Sequence, residues 1–283
     1  MIEDLVRRCV FCAEPAGSKE HALPDWLAKT MGVQDEPAQP AMVSSKRGIE
    51  PQGNPRATGK LITKRVCAGC NNGWMGDLEG QVRPILGPLV ASDFTSFTRD
   101  ALDPLQHNLP SLTRWLLKTA VTLSLVAPRG ELGSLPHAAA GWAYDDAVPS
   151  SCMLYVGWIE DAHFSKGLCR GFRILNGGVF HGNQLHEHSF DFRLQLNHLG
   201  LRFVNAPDAT WGLTKCLNSS GNLCIPRVLM PVGYFDAASA DTILFRDFFE
   251  FSKVCVLATG RLPDHLDPEE ERKMAESVRR FIP

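Results

Sequence analysis

Apolar residues recur with a helical period in two stretches of the first half of the chain. The first stretch predicts a helix that begins at Asn71 or Asn72 and that Pro84 kinks or ends. The second predicts a helix from Leu112 to about Val126. The stripes are formed by Trp74, Leu78 and Val82 in the first helix and by Leu112, Trp115, Leu116, Ala120, Leu123 and Val126 in the second. We therefore expect the chain to be mainly helical between these points.

From about residue 150 the pattern changes to the two-residue alternation of β-strands. An Asn-Gly pair, Asn176-Gly177, predicts a hairpin turn between strands at 170–175 and 178–181. The other predicted strands cover residues 152–159, 190–196 and 201–205, with further candidates at 223–230 and 254–259. Helices in one part of the chain and strands in another predict the α+β fold class.

Residues 32–59 are rich in Pro, Gly, Ser and Gln, which predicts a long loop. A strand over residues 60–66 follows it. Between residues 46 and 65 the sequence has six basic residues and a single acidic one, Glu50. They are Lys46, Arg47, Arg56, Lys60, Lys64 and Arg65. Two interpretations remain open: a solvated loop, or a nucleic-acid-binding arm that contacts phosphates and orders on binding.

Composition narrows the class of protein. The 283 residues predict roughly two domains of about 100–200 residues each. A formal net charge of −2 argues against non-specific coating of nucleic acid but leaves room for a local basic patch. The N-terminal residues lack a basic region followed by an apolar run, and residues 116–127 are too short to span a bilayer. We therefore expect a cytoplasmic protein that does not enter a membrane.

Four of the nine cysteines form two Cys-x-x-Cys pairs, Cys9 with Cys12 and Cys67 with Cys70. In a reducing compartment such pairs indicate a metal site before a disulfide. Two such turns complete a tetrahedral sulfur shell for a structural zinc ion. The remaining five cysteines stand alone and are expected to be small buried hydrophobic residues.

The residues around these pairs resemble those of bacterial HNH endonucleases. The resemblance covers residues 9–83 and rests on Cys9-Val-Phe-Cys12, Glu20-His21-Ala-Leu-Pro24, Trp26, Cys67-Ala-Gly-Cys70-Asn71-Asn72-Gly73-Trp74-Met75 and Leu78-Glu79. It is narrowest for a branch with Asn-Asn-Gly-Trp-Met after the second cysteine pair. The segment Trp115-Leu-Leu-Lys-Thr-Ala120 also looks like that branch.

The resemblance implies a ββα-metal, treble-clef-like core that hydrolyses phosphodiester bonds of DNA, with RNA as a further substrate class. It implies that His21 is the general base and that Glu20 replaces the usual Asp or His ligand of a catalytic divalent cation, Mg²⁺ or Mn²⁺. Asn71 takes the last position of the signature and would be a second ligand. Restriction, phage defence and mobile elements are the settings in which such nucleases act.

The chemistry of these residues agrees with that role. A neutral histidine can take a proton from water near neutral pH, and a hard cation held by one or two protein oxygens can contact the scissile phosphate. Neighbouring strand residues point to opposite faces, so Glu20 and His21 share one face only if the strand is twisted or bulged. A bulge at this point is therefore a requirement of the nuclease hypothesis.

The predicted organisation is a zinc-stapled nuclease domain over residues 1–88, a helical connector over 89–130 and an α+β domain over 131–283 that sets specificity, homodimerisation or regulation. Two other functions stay open. One is a zinc module that binds nucleic acid without cleaving it. The other is a sensor or effector whose nuclease head stays inactive until the C-terminal part receives a signal.

Overall fold

The structure, a computed structural model, describes residues 7–38, 41–44, 48–51, 54–92, 103–126, 135, 138–149, 152–159, 172–177, 180–181, 184–185 and 190–205, and six short strands after residue 210. We call residues 7–92 the front segment. The described residues contain both helices and small sheets, which confirms the α+β class.

The helices lie mainly between residues 25 and 144. They are α1 (Asp25–Met31), the single turn α2 (Ala68–Cys70), α3 (Gly76–Ala91), α4 (Asp103–His107), α5 (Leu109–Leu125) and α6 (Ala139–Tyr144). A π-helical turn, Asn71–Met75, joins α2 to α3, with a non-helical backbone at Gly73. Cys67 therefore caps the first helical turn, Cys70 ends that turn, and a kink at Gly73 lies between it and α3.

The strands form one larger sheet and several two-stranded ribbons. In the front segment β1 (Ser18–His21) pairs with β6 (Ile62–Val66), β2 (Pro37–Ala38) with β5 (Arg56–Ala57), and β3 (Ala41–Ser44) with β4 (Gly48–Pro51). We call the β1–β6 pair the front ribbon.

The larger sheet has its strands in the order β16-β7-β12-β11-β8, and β17 pairs parallel with β7. Its strands are β7 (Cys152–Ile159), β8 (Phe172–Gly177), β11 (Phe190–Leu196), β12 (Leu199–Asn205), β16 (Arg227–Leu229) and β17 (Leu244–Phe245). The remaining short strands are β9 (Phe180–His181), β10 (Gln184–Leu185), β13 (Trp211–Leu213), β14 (Cys216–Leu217), β15 (Leu223–Cys224) and β18 (Val256–Ala258).

Both predicted helices extend beyond their expected bounds. Helix α3 continues through Pro84 and Pro88 to Ala91 instead of ending. A proline inside a helix costs about 3 kcal/mol, but Val82 and Leu86 on either side of Pro84 are fully buried, and their packing offsets that cost. The second helix begins at residue 109 rather than 112 because a proline is well tolerated in the first turn.

One prediction of local strand structure was wrong, and a second is described only in part. The expected long loop at 32–59 contains the β2–β5 and β3–β4 ribbons. Backbone pairing uses groups that almost every residue supplies, so a polar segment can form it without an apolar pattern. The expected hairpin at 170–181 lies partly outside the described residues; among those described, Asn176-Gly177 ends β8, which pairs with β11 over six residues, and β9 pairs with β10.

Buried apolar residues form one continuous cluster that runs from Cys9 to Phe203. It includes residues from all three predicted segments, among them Leu78, Trp115 and Leu154. The Asn197 side-chain amide, in the β11–β12 turn, donates a hydrogen bond to the Val90 carbonyl at 2.8 Å. The larger sheet therefore packs against helix α3 of the front segment.

Candidate functional site

Four cysteines of the front segment, two near its start and two at the turn before α3, meet in one cluster. All four Sγ atoms lie within 4.8 Å of one another, and the sulfurs of Cys12 and Cys67 are 3.5 Å apart. A tetrahedral zinc ion with Zn–S distances of ~2.3 Å places its sulfurs roughly 3.8 Å from each other. Cys9, Cys12, Cys67 and Cys70 are therefore positioned to bind a metal ion such as zinc, as their spacing predicts.

Local hydrogen bonds position the two cysteine turns of this cluster. The Cys70 amide donates to the Cys67 thiol at 3.3 Å, and the Val10 amide donates to the Arg65 carbonyl at 2.9 Å, which joins the first cysteine turn to β6. Burial raises the pKa of the Cys70 thiol. Burial acts in the same direction at Cys67, but hydrogen bonds from the Cys70 amide and neighbouring thiols lower the pKa of the Cys67 thiol overall. A bound cation would favour the thiolate form of every ligand.

The front ribbon contains a β-bulge. Two steps along β1 match three steps along β6, so the extra residue lies in β6. The pairs that flank it are Ser18 with Val66 and Glu20 with Thr63. As a result Lys64 and Arg65, which are neighbours in sequence, are both exposed. A bulge exists, but it lies before Glu20 and on the opposite strand, so it does not bring Glu20 and His21 to one face as the nuclease hypothesis requires.

Alternation along β1 separates Glu20 from His21. The Glu20 side chain is buried, with the residue only 6% exposed, while Lys19 is exposed and His21 is half-buried. Lys19 and His21 are two residues apart and so lie on the same side of the strand. The structure therefore brings His21 together with Lys19 and turns Glu20 toward the protein interior.

The Glu20 carboxylate lies in a buried cluster with Lys118 and Glu79. The Lys118 ammonium is 2.8 Å from Glu20 Oε1 and 2.6 Å from Glu79 Oε1, and its side chain is fully buried. Burial raises the pKa of Glu20, and Lys118 offsets only part of that effect. One ammonium thus serves two carboxylates from β1 and α3.

Asn71 connects the start of the helical segment to β1. Its Nδ2 donates to Ser18 Oγ at 2.6 Å and lies 3.4 Å from the Lys19 carbonyl oxygen. Because Nδ2 makes these contacts, the amide oxygen is the atom that Asn71 can offer to a ligand. The three predicted site residues thus lie on two adjoining elements, with Asn71 contacting the backbone two residues before His21.

The predicted phosphate-contacting residues are placed in part. Arg56, Lys60, Lys64 and Arg65 are described and all are exposed, whereas Lys46 and Arg47 lie outside the described residues. Within the described part of the chain, none of these four basic side chains takes part in an ion pair. They are therefore available to bind an anionic partner.

Trp74 closes the cysteine cluster from the side of helix α6. Its ring meets Phe11 edge-on at 5.2 Å between centroids, and the Arg114 guanidinium lies 4.8 Å above it. Arg114 also donates to the Ala143 carbonyl at 2.7 Å, and Tyr144 packs against Trp74 at 6.2 Å. These contacts make Trp74 a packing residue between the metal cluster and the helices.

Lys118 is the residue at this site that sequence reasoning missed. It lies three residues after Trp115, inside the apolar stripe of α5, and is completely buried. A lysine is rarely buried unless it is paired, so its position in that stripe is a signal for a carboxylate partner. The sequence could not identify that partner, because Glu20 and Glu79 are distant along the chain.

Metal-ligand geometry and comparisons with known proteins add little beyond the cysteine cluster. Among the described residues, no second group of three or more His, Cys, Asp or Glu side chains converges in this way. No helix in the described part of the chain combines the length and apolar character needed to cross a membrane.

No family model, curated protein or solved structure matches the chain. Its function is therefore inferred from residues and geometry.

Proposed function

We propose that the front segment is the head of an HNH-type endonuclease that hydrolyses phosphodiester bonds of DNA, with the front ribbon and α3 as a ββα-metal core around a structural zinc ion. The supporting observation is the placement of His21. It lies half-buried on a ribbon that joins the cysteine cluster, on the same side of β1 as the exposed Lys19. Histidine is the side chain best suited to accept a proton from water near neutral pH.

The surroundings of His21 suit an anionic substrate. Lys64 and Arg65 are displayed together by the bulge in β6, directly across the ribbon from Lys19. Lysine and arginine bind phosphate oxygens through charge-assisted hydrogen bonds. A nucleic-acid backbone that contacts these side chains would pass close to the imidazole.

A catalytic Mg²⁺ or Mn²⁺ ion is part of the proposal, and the donor types fit it, although the Glu20 carboxylate lies on the side of β1 opposite to His21. Magnesium usually takes one or two protein oxygens. Lys118 contacts Glu20 through Oε1 and Asn71 contacts Ser18 through Nδ2, so Glu20 Oε2 and the Asn71 amide oxygen are the candidate ligand atoms. These two residues would hold the ion, which would supply charge stabilisation for the phosphate and the leaving oxygen. His21 would take the proton from the attacking water.

Cleavage assays test this function directly. Plasmid and single-stranded substrates are incubated with Mg²⁺, Mn²⁺ or a chelator, with wild type, His21→Ala and a control in a distant histidine, His107→Ala. His107 is exposed on α4, where its ring contacts the Asp103 carbonyl. We expect cleavage to fall by about 10²–10⁴-fold in His21→Ala, as for loss of a general base, and to persist in His107→Ala. Undiminished cleavage by His21→Ala would refute the role of His21.

A zinc module that binds nucleic acid without cleaving it is the second candidate. It is favoured by the inward direction of the Glu20 carboxylate and its contact with Lys118, which would give Glu20 a structural role. Wild-type protein that binds duplex DNA through Lys64 and Arg65 but cleaves no substrate with either ion would support this candidate over the nuclease.

A further inference from the structure

We infer that Lys118 is a positioning residue for the Glu20–His21 strand, so that helix α5 belongs to the active site rather than serving as a connector. This inference rests on the proposed nuclease function for its catalytic consequence. Its structural part concerns only the contacts that helix α5 and Asn71 make with the residues on either side of His21.

The first contact fixes the side chain before His21. The Lys118 ammonium, without any exposed surface, lies 2.8 Å from Glu20 Oε1 and 2.6 Å from Glu79 Oε1. Three elements, β1, α3 and α5, therefore meet at one nitrogen atom. An ammonium has three donors, and two of them are directed at these carboxylates, which restrains the direction of Glu20.

A second contact lies just after His21. Thr122 is one helical turn beyond Lys118, and its hydroxyl lies 3.2 Å from the Ala22 carbonyl oxygen. The hydroxyl is also within hydrogen-bond range of two carbonyls of its own helix, so its single hydrogen is shared among them. Helix α5 thus contacts the residues on both sides of His21.

The opposite end of the strand is held from the helical segment that begins at Asn71. The Asn71 amide nitrogen contacts Ser18 Oγ and the Lys19 carbonyl. Residues 18, 19, 20 and 22 are therefore each contacted by a polar group from one of two helical segments. A general base must be placed within a few tenths of an ångström to act, and a 1 Å error costs about 10²-fold. Lys118 is the charged member of this set and is fully buried.

The test compares Lys118→Met, Lys118→Arg and a control at an exposed lysine, Lys29→Met, whose ion pair with Asp25 is on the surface of α1. Three properties are measured: zinc content, the affinity for a labelled DNA duplex, and the rate of single-turnover cleavage. The ¹H–¹⁵N correlations of the His21 imidazole are recorded in the same samples as a readout independent of activity.

We expect Lys118→Met to keep its zinc and its duplex affinity but to lose about 10–100-fold in cleavage rate, the usual effect of removing an outer partner of a site residue. The His21 imidazole signals should shift in this variant. Lys118→Arg, which keeps the charge and can still donate to both carboxylates, should recover most of the rate and the signals. Lys29→Met should match wild type in all measurements.

Zinc-loaded Lys118→Met with wild-type cleavage and unshifted His21 signals would overturn the inference, as would failure of Lys118→Arg to recover either. Should Lys118→Met fail to fold, Glu79→Gln replaces it, because it keeps the size of the side chain and removes one partner of Lys118. Shifted His21 signals in that variant support the inference, and wild-type signals overturn it. Absence of cleavage by wild type would refute the proposed function, while the imidazole signals would still decide the positioning role.

Discussion

The site and the larger sheet each contain a cluster of three charges, with opposite compositions. Beside His21, one lysine lies between two carboxylates, Glu20 and Glu79. In the sheet, one carboxylate, Asp191, accepts paired hydrogen bonds from two arginines, Arg193 and Arg202. Assigned full charges, the first cluster carries one excess negative charge and the second one excess positive charge.

The two clusters shift carboxyl pKa values in opposite directions. Burial would raise the pKa of Asp191, but Arg202 and Arg193 lower it to about 2. Burial raises the pKa of Glu20, and a single lysine shared with Glu79 does not reverse the effect. Two guanidinium groups donate four hydrogen bonds to one carboxylate, whereas one ammonium makes a single contact with each of two carboxylates. The sheet cluster therefore favours the ionised form of Asp191, whereas burial near His21 disfavours the ionised form of Glu20, an effect that a nearby cation would oppose.

The clusters also differ in how they depend on the fold. The sheet cluster joins adjacent strands, with Arg202 opposite Arg193 in the β11–β12 register. The cluster near His21 joins three elements from distant parts of the chain, and β1 reaches it from a ribbon that adjoins the cysteine cluster. We therefore expect removal of the metal to disrupt the site, and substitution of Asp191 or its arginine partners to destabilise the sheet.

Loss of zinc should have the largest effect. In Cys67→Ala we expect the front segment to unfold, because the binding free energy of structural zinc, roughly 10–16 kcal/mol in small zinc-binding peptides, is folding free energy here. Zinc content and amide hydrogen exchange over residues 7–38 and 54–92 measure this outcome. The control is Cys152→Ala, a buried cysteine of β7 outside the cluster, which should retain its zinc. A Cys67→Ala protein with wild-type zinc content and exchange would contradict the expectation.

Removal of the sheet carboxylate should have the next largest effect. Asp191→Asn leaves two arginines without their partner and should cost about 3–5 kcal/mol in free energy of unfolding, as for a broken buried ion pair. Urea denaturation measures the loss. Zinc content serves as the internal control and should stay at the wild-type level. A loss below about 1 kcal/mol would mean that the arginines find other partners.

The pH dependence of stability distinguishes the two clusters by sign. Because the folded-state pKa of Asp191 is depressed, its stabilisation is fully present above the unfolded value of about 4 and is lost as the pH falls toward about 2. Because the folded-state pKa of Glu20 is raised, its contribution is greatest below about pH 4.3 and declines as the pH rises through the folded pKa. Glu20→Gln should remove the second decline and Asp191→Asn the first. The same dependence of the free energy of unfolding on pH in both variants would disprove the contrast.

Neutralising the exposed pair on the bulge should have the smallest effect on folding. In Lys64→Gln/Arg65→Gln we expect unchanged thermal stability but weaker binding to duplex DNA. The slope of log affinity against log salt should decrease by about 0.9 for each phosphate that the variant no longer neutralises. Fluorescence anisotropy at several salt concentrations measures it, with Lys29→Gln as the control on a different surface. An unchanged slope would remove this surface from the proposed interface.

Local chemistry along the chain was enough to predict several features. The spacing of Cys9, Cys12, Cys67 and Cys70 predicted one metal cluster, because a Cys-x-x-Cys turn brings two thiols together whatever surrounds it. The periodicity of the apolar residues located α5 and the strand at 152–159, since burial of one face depends on spacing alone. The prolines of α3 led to a wrong prediction of its end, because packing outweighed their local cost.

Only the tertiary structure decided how the candidate site is assembled. No local pattern could show that Lys118, in an apolar helix, reaches Glu20 and Glu79, or that a bulge in β6 exposes Lys64 and Arg65 across from Lys19. These features depend on the register of two strands and on the packing of three distant elements. The physical reason is that turns and periodicity arise from neighbouring residues, whereas a buried charge takes its partner from whichever element the folded core brings within hydrogen-bonding distance.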